Sequence, residues 1–64
     1  MIVEVQVYVP AKDDGTGPYT DVHRVAAVSL NTEGELWLID IDDVPEAEYA
    51  DGEWERVVIR RVEL

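Results

Sequence analysis

Apolar and polar residues alternate over the first nine positions, Met-Ile-Val-Glu-Val-Gln-Val-Tyr-Val. The four valines of this stretch share one face, and a period of two with β-branched residues predicts a half-buried strand. Pro10 ends the strand because proline cannot donate a ladder hydrogen bond. Residues 11–20 contain two glycines, one proline and two aspartates without any periodicity, which predicts a loop.

Three further strands are predicted, over residues 21–30, over residues 35–41, and from residue 54 to residue 62 or 64. Between the first two, Asn31-Thr32-Glu33-Gly34 places Asn where a type I turn opens and Gly where the backbone turns left-handed, which predicts a hairpin. Between the last two, Asp43-Val44-Pro45-Glu46 has the spacing of a helix capping box. That spacing predicts a single helical turn over residues 44–49.

These elements predict a mainly β fold. We expect a small, four-stranded, mostly antiparallel and strongly bent sheet, arranged as a β-meander or a partly open barrel, with one short helical turn between strands 3 and 4. The chain has 64 residues and is expected to form one small acidic β domain, 1–64.

Two of the predicted strands are apolar on both faces, at residues 36–39 and 57–59. Such a sheet needs a cover, because an open flat sheet leaves one apolar face in water. The sheet can curl into a barrel, or the segment 42–54 can fold back over it through Val44, Tyr49 and Trp54. Alternatively, a second copy of the chain covers the face, and on this ground we predict a homodimer.

The chain has no Cys and a single His, which excludes thiolate metal sites and sites with several histidines. The stretch Asp40-Ile41-Asp42-Asp43 begins like a calcium-binding EF-hand loop. However, Pro45 occupies the sixth position, where that loop needs Gly, and Asp51 occupies the twelfth, where it needs Glu. We therefore expect no metal site and no cofactor.

The residue types of a catalytic triad are present in Asp21, His23 and Ser29. On a single strand they share a face, but Ser29 lies six residues from His23, which is about 20 Å at ~3.3 Å per residue. A nucleophile must lie within hydrogen-bond reach of its base. We therefore expect no catalytic residues and no enzymatic activity, and we expect His23 to pair with an acid across strands.

The net charge is −10, and all of it belongs to one segment. Residues 33–55 carry ten acids and no base, whereas the acids and bases of the remaining chain cancel. Direct binding to nucleic acid or to an anionic membrane is not expected, because like charges repel. The short apolar runs contain neither a membrane span nor a signal peptide, so a cytoplasmic location is expected.

Aromatic side chains among acids are typical of a surface that receives Arg and Lys. We therefore predict a non-catalytic module that binds a basic protein surface. We expect Trp54, between two glutamates, to lie on the surface and Trp37 to lie in the core. The residues of this predicted surface are Asp40, Asp42, Asp43, Glu46, Glu48, Tyr49, Asp51, Glu53, Trp54 and Glu55.

A narrower form of this prediction is an inhibitor that mimics nucleic acid. One DNA strand carries a charge every ~3.4 Å, and carboxylates at alternate strand positions lie ~6.6 Å apart. One such row is half as dense as one DNA strand, whereas two neighbouring rows, or one row plus the 42–53 loop, would match it. Eight acids lie in the sixteen residues from Asp40 to Glu55, so this density is attainable if the loop is compact. In small size and concentrated acidity the chain resembles, in style, phage-type anti-defence inhibitors. The alternative is a small structural or regulatory domain whose acidity reflects solubility or a high-salt environment.

Overall fold

The structure, a computed structural model, describes residues 2–62, with side chains for residues 2–61. Within that range the chain contains strands and no helix, so no helix is long and apolar enough to cross a membrane. The predicted strand ends at residues 1, 63 and 64 lie outside the described residues. The strands are β1 Ile2–Val9, β2 Tyr19–Val25, β3 Ala27–Leu30, β4 Leu36–Ile39, β5 Pro45–Tyr49 and β6 Arg56–Val62.

The six strands form two three-stranded antiparallel sheets that do not close into a barrel. The first sheet has the order β2-β1-β6, and the second sheet has the order β3-β4-β5. The prediction of a mainly β, antiparallel fold is confirmed. The prediction of one four-stranded sheet is wrong, because one predicted strand is divided and one predicted helical turn is a strand.

The predicted alternation is confirmed over Ile2–Val9, which form β1, the central strand of the first sheet. Val5 and Val7 have no exposed surface and Val9 is 3% exposed. Their polar neighbours in sequence lie on the opposite, outer face of the sheet, because successive side chains of a strand alternate. The strand ends before Pro10, as predicted.

The predicted strand over residues 21–30 is divided at Ala26 into β2 and β3. Val25 is buried at 1% exposure, and Val28 also packs against the core. Residues three apart point to opposite faces of a regular strand, so the chain must break its period of two between them. The break is made at Ala26, whose N–H donates to the carbonyl oxygen of Ile39 at 2.9 Å and passes the chain to the second sheet.

The predicted helical turn over residues 44–49 is instead the strand β5. Asp43 has a φ of 64° and closes a tight turn, in which its N–H donates to the Asp40 carbonyl oxygen at 3.1 Å. The Asp40 carboxylate accepts hydrogen bonds from the N–H groups of Asp42 and Val44, both at 2.9 Å. These short-range bonds use the acids for a hairpin turn, so Asp43 is not a helix cap. Pro45 is tolerated because β5 is an edge strand.

The predicted turn at residues 31–34 is confirmed. The N–H of Gly34 donates to the Asn31 carbonyl oxygen at 3.3 Å, and Gly34 has the left-handed φ of 82°. The Asn31 side-chain oxygen also accepts from the N–H groups of Glu33 and Glu35. Gly34 is further constrained by a neighbour, since a Cβ at this position would lie 2.7 Å from Oδ1 of Asp51.

One hydrophobic core is shared by the two sheets. The two sheets thus bury part of their apolar surface against each other within one chain, whereas Ile59 on β6 remains 53% exposed. Tyr49 and Trp54 pack against this core, but Val44 remains 53% exposed and anchors nothing. The buried residues are Val5, Val7, Val9 and Val25 from the first sheet and Leu36 and Leu38 from the second.

Candidate protein-binding surface

The two sheets carry different charges. Residues 26–55, which comprise the second sheet, its turns and the connection to β6, hold ten acids and no base; we call this segment the acidic half. The four arginines lie on strands β2 and β6 of the first sheet, and the one lysine lies in the loop before β2. The excess negative charge therefore lies in the second sheet, its turns and the connection to β6.

The acids of the β4–β5 turn have unequal roles. Asp40 is partly buried and its carboxylate holds the turn together. Asp42 and Asp43 are exposed, and the structure gives their carboxylates no such task. Beside them, Ile41 is 76% exposed, which leaves an apolar side chain at the tip of an acidic turn.

Glu46 and Glu48 lie on the edge strand β5 and face different neighbours. Oε2 of Glu46 lies 3.3 Å from Nδ1 of His23, which confirms the prediction that His23 pairs with an acid across strands. Glu48 is directly opposite Trp37 in the register of β4 and β5, on the outer face of the second sheet. Glu48 is exposed, and its carboxylate is available to a partner.

Tyr49 forms a hydrogen-bonded cluster with β2 of the other sheet, which we call the inter-sheet clasp (Asp21, His23, Glu46 and Tyr49). The Tyr49 hydroxyl donates to Oδ2 of Asp21 at 2.8 Å. A phenol has one proton, so His23 Nε2, 2.9 Å from the same oxygen, must be the donor of the second bond. The clasp connects β2 to β5 with polar side chains at the margin of the core.

The position of Tyr49 raises the pKa of its hydroxyl group well above the ordinary value. Partial burial is the main cause, because it disfavours the charged phenolate, and the hydrogen bond to Asp21 and the charge of that carboxylate add to the effect. Tyr49 is thus held neutral as a donor within the clasp. The sequence predicted it as part of a binding surface, but its hydroxyl group is occupied by residues of its own chain.

Trp54 and the turn at residues 50–53 are tied to the second sheet. Trp54 packs against the core, and its Nε1–H donates to the Gly34 carbonyl oxygen at 2.9 Å. The Glu53 carboxylate accepts from the Ala50 N–H at 2.8 Å. Asp51 and Glu55 are exposed. The expectation that Trp54 lies on the surface is met only in part, because Trp54 is half-buried and its indole ring packs against the core.

The expectation that Trp37 lies in the core is wrong, because Trp37 does not belong to the core cluster. It is partly exposed on the outer face of the second sheet and lines a cavity of about 120 Å³. Three glutamates, Glu35, Glu48 and Glu53, line the same cavity. The alternation of Leu36-Trp37-Leu38 carried this signal, because burial of the two leucines turns Trp37 outwards.

The chemistry of this Trp37 cavity suits a cation. An aromatic ring attracts ammonium and guanidinium groups, and carboxylates add direct charge pairing. The cavity is smaller than the ~300–1,000 Å³ of typical small-molecule sites, so it has room for the end of a side chain. A larger hollow of about 270 Å³ beside the 10–13 loop is also lined by Lys12 and therefore lacks a uniform charge.

No group of three or more His, Asp and Glu side chains within residues 2–62 is arranged to hold a metal ion. Comparisons of the chain with protein-family models, with curated proteins and with solved structures each found no match.

Proposed function

We propose that the protein is a non-catalytic module whose acidic half binds a basic protein surface. The observation that carries the proposal is the Trp37 cavity, where a partly exposed indole ring lies among Glu35, Glu48 and Glu53. An arginine side chain of the partner inserts there, with its guanidinium group against the ring and its N–H groups directed to the carboxylates.

The charge of the acidic half supports the association step. Ten acids without a base produce a field of one sign, which attracts a basic partner and accelerates encounter. Asp42, Asp43 and Asp51 have exposed carboxylates and lie between the cavity residues Trp37 and Glu53 in sequence. The acidic half contains no base that could neutralise them. They act at long range, whereas the Trp37 cavity acts at contact.

A protein that normally binds DNA or RNA has the kind of basic surface this proposal requires. In this narrower form, the acidic half competes with nucleic acid for such a surface and inhibits its owner. The eight acids between Asp40 and Glu55 support this form, since two neighbouring rows of carboxylates at alternate strand positions would match the charge spacing of one DNA strand. Competition between this protein and duplex DNA for a basic DNA-binding domain tests it directly.

The general proposal is tested with an arginine-serine repeat peptide and two doubly neutralised variants. Glu48→Gln with Glu53→Gln removes two charges at the cavity, and Asp42→Asn with Asp43→Asn removes two charges at the β4–β5 turn. Asn tolerates the left-handed backbone at position 43, and Gln at position 53 can still accept the Ala50 hydrogen bond. Calorimetric titration at physiological salt gives the peptide affinity of each variant.

We expect the cavity pair to lower the affinity about tenfold or more and the turn pair to lower it only a few-fold. Equal losses in both pairs would leave a diffuse electrostatic attraction and contradict the role of the cavity. A parent protein that binds no basic peptide, and that gains stability steeply towards molar salt, would support the alternative of an acidity set by the environment.

A further inference from the structure

The strand β6 has an open edge. In the first sheet it pairs with β1 on one side, and within residues 2–62 no other strand lies along its second side. Ile59 at its centre is 53% exposed, although the residue opposite it on β1 is the fully buried Val5. An unpaired strand edge with an exposed apolar centre is a template for another strand.

The other sheet edges are less suited to pairing. The strand β5 begins with Pro45 and has a register shift against β4, and β3 has only four residues. At the opposite edge of the first sheet, the inward residues Asp21 and His23 of β2 are already bound in the inter-sheet clasp. The β6 edge has no proline, and the pairing of β6 with β1 is regular over seven residues.

We propose that β6 pairs with β6 of a second copy, antiparallel and centred on Ile59. The sequence Val57-Val58-Ile59-Arg60-Arg61 is complementary to itself in that register. Arg60 lies opposite Val58 of the second copy, Arg61 lies opposite Val57, and Ile59 meets Ile59. The two-fold axis makes each contact occur twice, as in a closed symmetric dimer.

The neighbouring registers are disfavoured by charge. The outer faces of the two copies lie on the same side of the joint sheet only if outward residues of one β6 face outward residues of the other. The strand register can therefore shift only in steps that conserve this alternation. The two nearest such shifts place Arg60 opposite Arg56 or opposite Arg60 of the second copy, and like charges directly opposite destabilise a pair. The register centred on Ile59 has no arginine opposite an arginine and covers the exposed isoleucine.

The side chains that neighbour each other across β1 and β6 are compatible with one continuous sheet through the dimer axis. On the outer face, Glu4 on β1 is the register partner of Arg60, so an acid lies on the strand next to the arginine beside the axis. On the inner face, Val5 and Ile59 continue into Ile59 and Val5 of the second copy. The dimer thus joins two three-stranded sheets into one of six strands. The acidic half takes no part in this pairing, so the proposal is independent of the proposed function.

The test uses three variants and sedimentation equilibrium. Val58 and Val22 both lie opposite Gln6, Val58 on β6 and Val22 on the other edge of the same outer face. Val58→Arg places a cation opposite Arg60 of the second copy, and Val58→Glu places an anion there. Val22→Arg is the matched control, with the same change in charge on the same row but at the β2 edge.

The parent should have a mass of about twice its 7.2 kDa at high micromolar concentration. Val58→Arg should weaken the dimer about tenfold and Val58→Glu should strengthen it several-fold, because two symmetric pairs change together. Val22→Arg should leave the dimer constant unchanged. A monomeric parent would overturn the proposal, and so would equal weakening by Val58→Arg and Val22→Arg or a weaker dimer in folded Val58→Glu.

Discussion

The two sheets share a core but differ in charge: an acid faces arginines in the first sheet, whereas the second sheet has acids and no base. In the first sheet, Glu4 lies between Arg24 and Arg60 in the register of the three strands, and Arg56 lies over the ring of Tyr8 at 4.2 Å. In the second sheet, Trp37 lies opposite Glu48 and beside further glutamates, in a segment without any base.

The aromatic residues make this difference specific. Tyr8 has its cation from its own chain, namely Arg56, whereas residues 26–55 contain no base that could do the same for Trp37. The first sheet therefore carries acids and bases on neighbouring strands. The second sheet keeps its repulsion, which costs stability unless salt or a basic partner relieves it. This contrast is the reason for assigning the binding surface to the second sheet.

The largest expected effect tests whether the two sheets form one cooperative unit. Leu38, fully buried on β4, belongs to the same core cluster as Val7 of β1. We expect Leu38→Ala to reduce the free energy of unfolding by about 2–5 kcal/mol, most of the stability of a domain of this size. Tryptophan fluorescence and circular dichroism should report the same denaturant midpoint. Two separate transitions would show that the sheets fold independently.

The next effect concerns Gly34 in the turn between β3 and β4. A side chain at this position has less room than one at Gly15, in the loop between β1 and β2. Gly34→Ala forces a left-handed alanine and displaces the Asp51 side chain, and we expect a loss of about 1–3 kcal/mol in stability. Gly15→Ala is the control, because Gly15 has a similar φ of 89° but nothing within 4 Å of a new Cβ. Denaturant midpoints of both variants give the comparison, and equal losses would contradict the role of Asp51.

A smaller effect is expected from the inter-sheet clasp. Tyr49→Phe removes the hydroxyl group that bonds to Asp21 and His23, and we expect a loss of about 1 kcal/mol near neutral pH. The folded state raises the pKa of Tyr49 above its ordinary value of ~10. The neutral phenol therefore contributes its full stability below about pH 10, and this contribution is lost as the pH rises further.

The measurement for this prediction is the free energy of unfolding from neutral to strongly alkaline pH. The parent should lose stability above about pH 10 more steeply than Tyr49→Phe, so the two curves should converge. Parallel curves over the whole range would show that the hydroxyl group is not held neutral by the fold.

The strand β1 could be predicted from sequence because it follows simple alternation. The valines of β1 fixed the inner face, and Pro10 marked the end of the strand. The helical turn was a wrong prediction because Asp43 fits both a capping box and a tight turn, and only the pairing of β4 with β5 decides between them. Ala26 has no local signal for a break, since the break follows from packing in two sheets.

The sequence predicted the acidic segment of the candidate site but not which of its aromatic side chains lies among the glutamates. The concentration of acids is visible in the sequence, whereas the exchange of roles between Trp37 and Trp54 is not visible from their flanking residues. Trp54 is half-buried against the core, where its Nε1–H donates a long-range hydrogen bond to the carbonyl oxygen of Gly34. Trp37 is turned outwards by the burial of Leu36 and Leu38. The alternation within β4 was thus a better guide than the glutamates beside Trp54.

The smallest effect on stability is expected at the β4–β5 turn. Asp42→Asn with Asp43→Asn removes two exposed charges from the acidic half and should raise stability by about 0.5 kcal/mol at low salt. The gain should disappear as salt screens the repulsion. Denaturant midpoints at two salt concentrations check this. A loss of stability would show that these carboxylates are needed by the fold.

The central claim is that Trp37, and not Trp54, is the contact aromatic of an acidic binding surface. Both indole N–H groups can be followed in one nitrogen–proton correlation spectrum while an arginine-serine repeat peptide is added. We predict a saturable shift of the Trp37 indole signal, weakened by salt, with little change at Trp54, whose Nε1–H is bonded to Gly34. A saturable shift confined to Trp54, or binding that leaves both indole signals unmoved, would contradict the account.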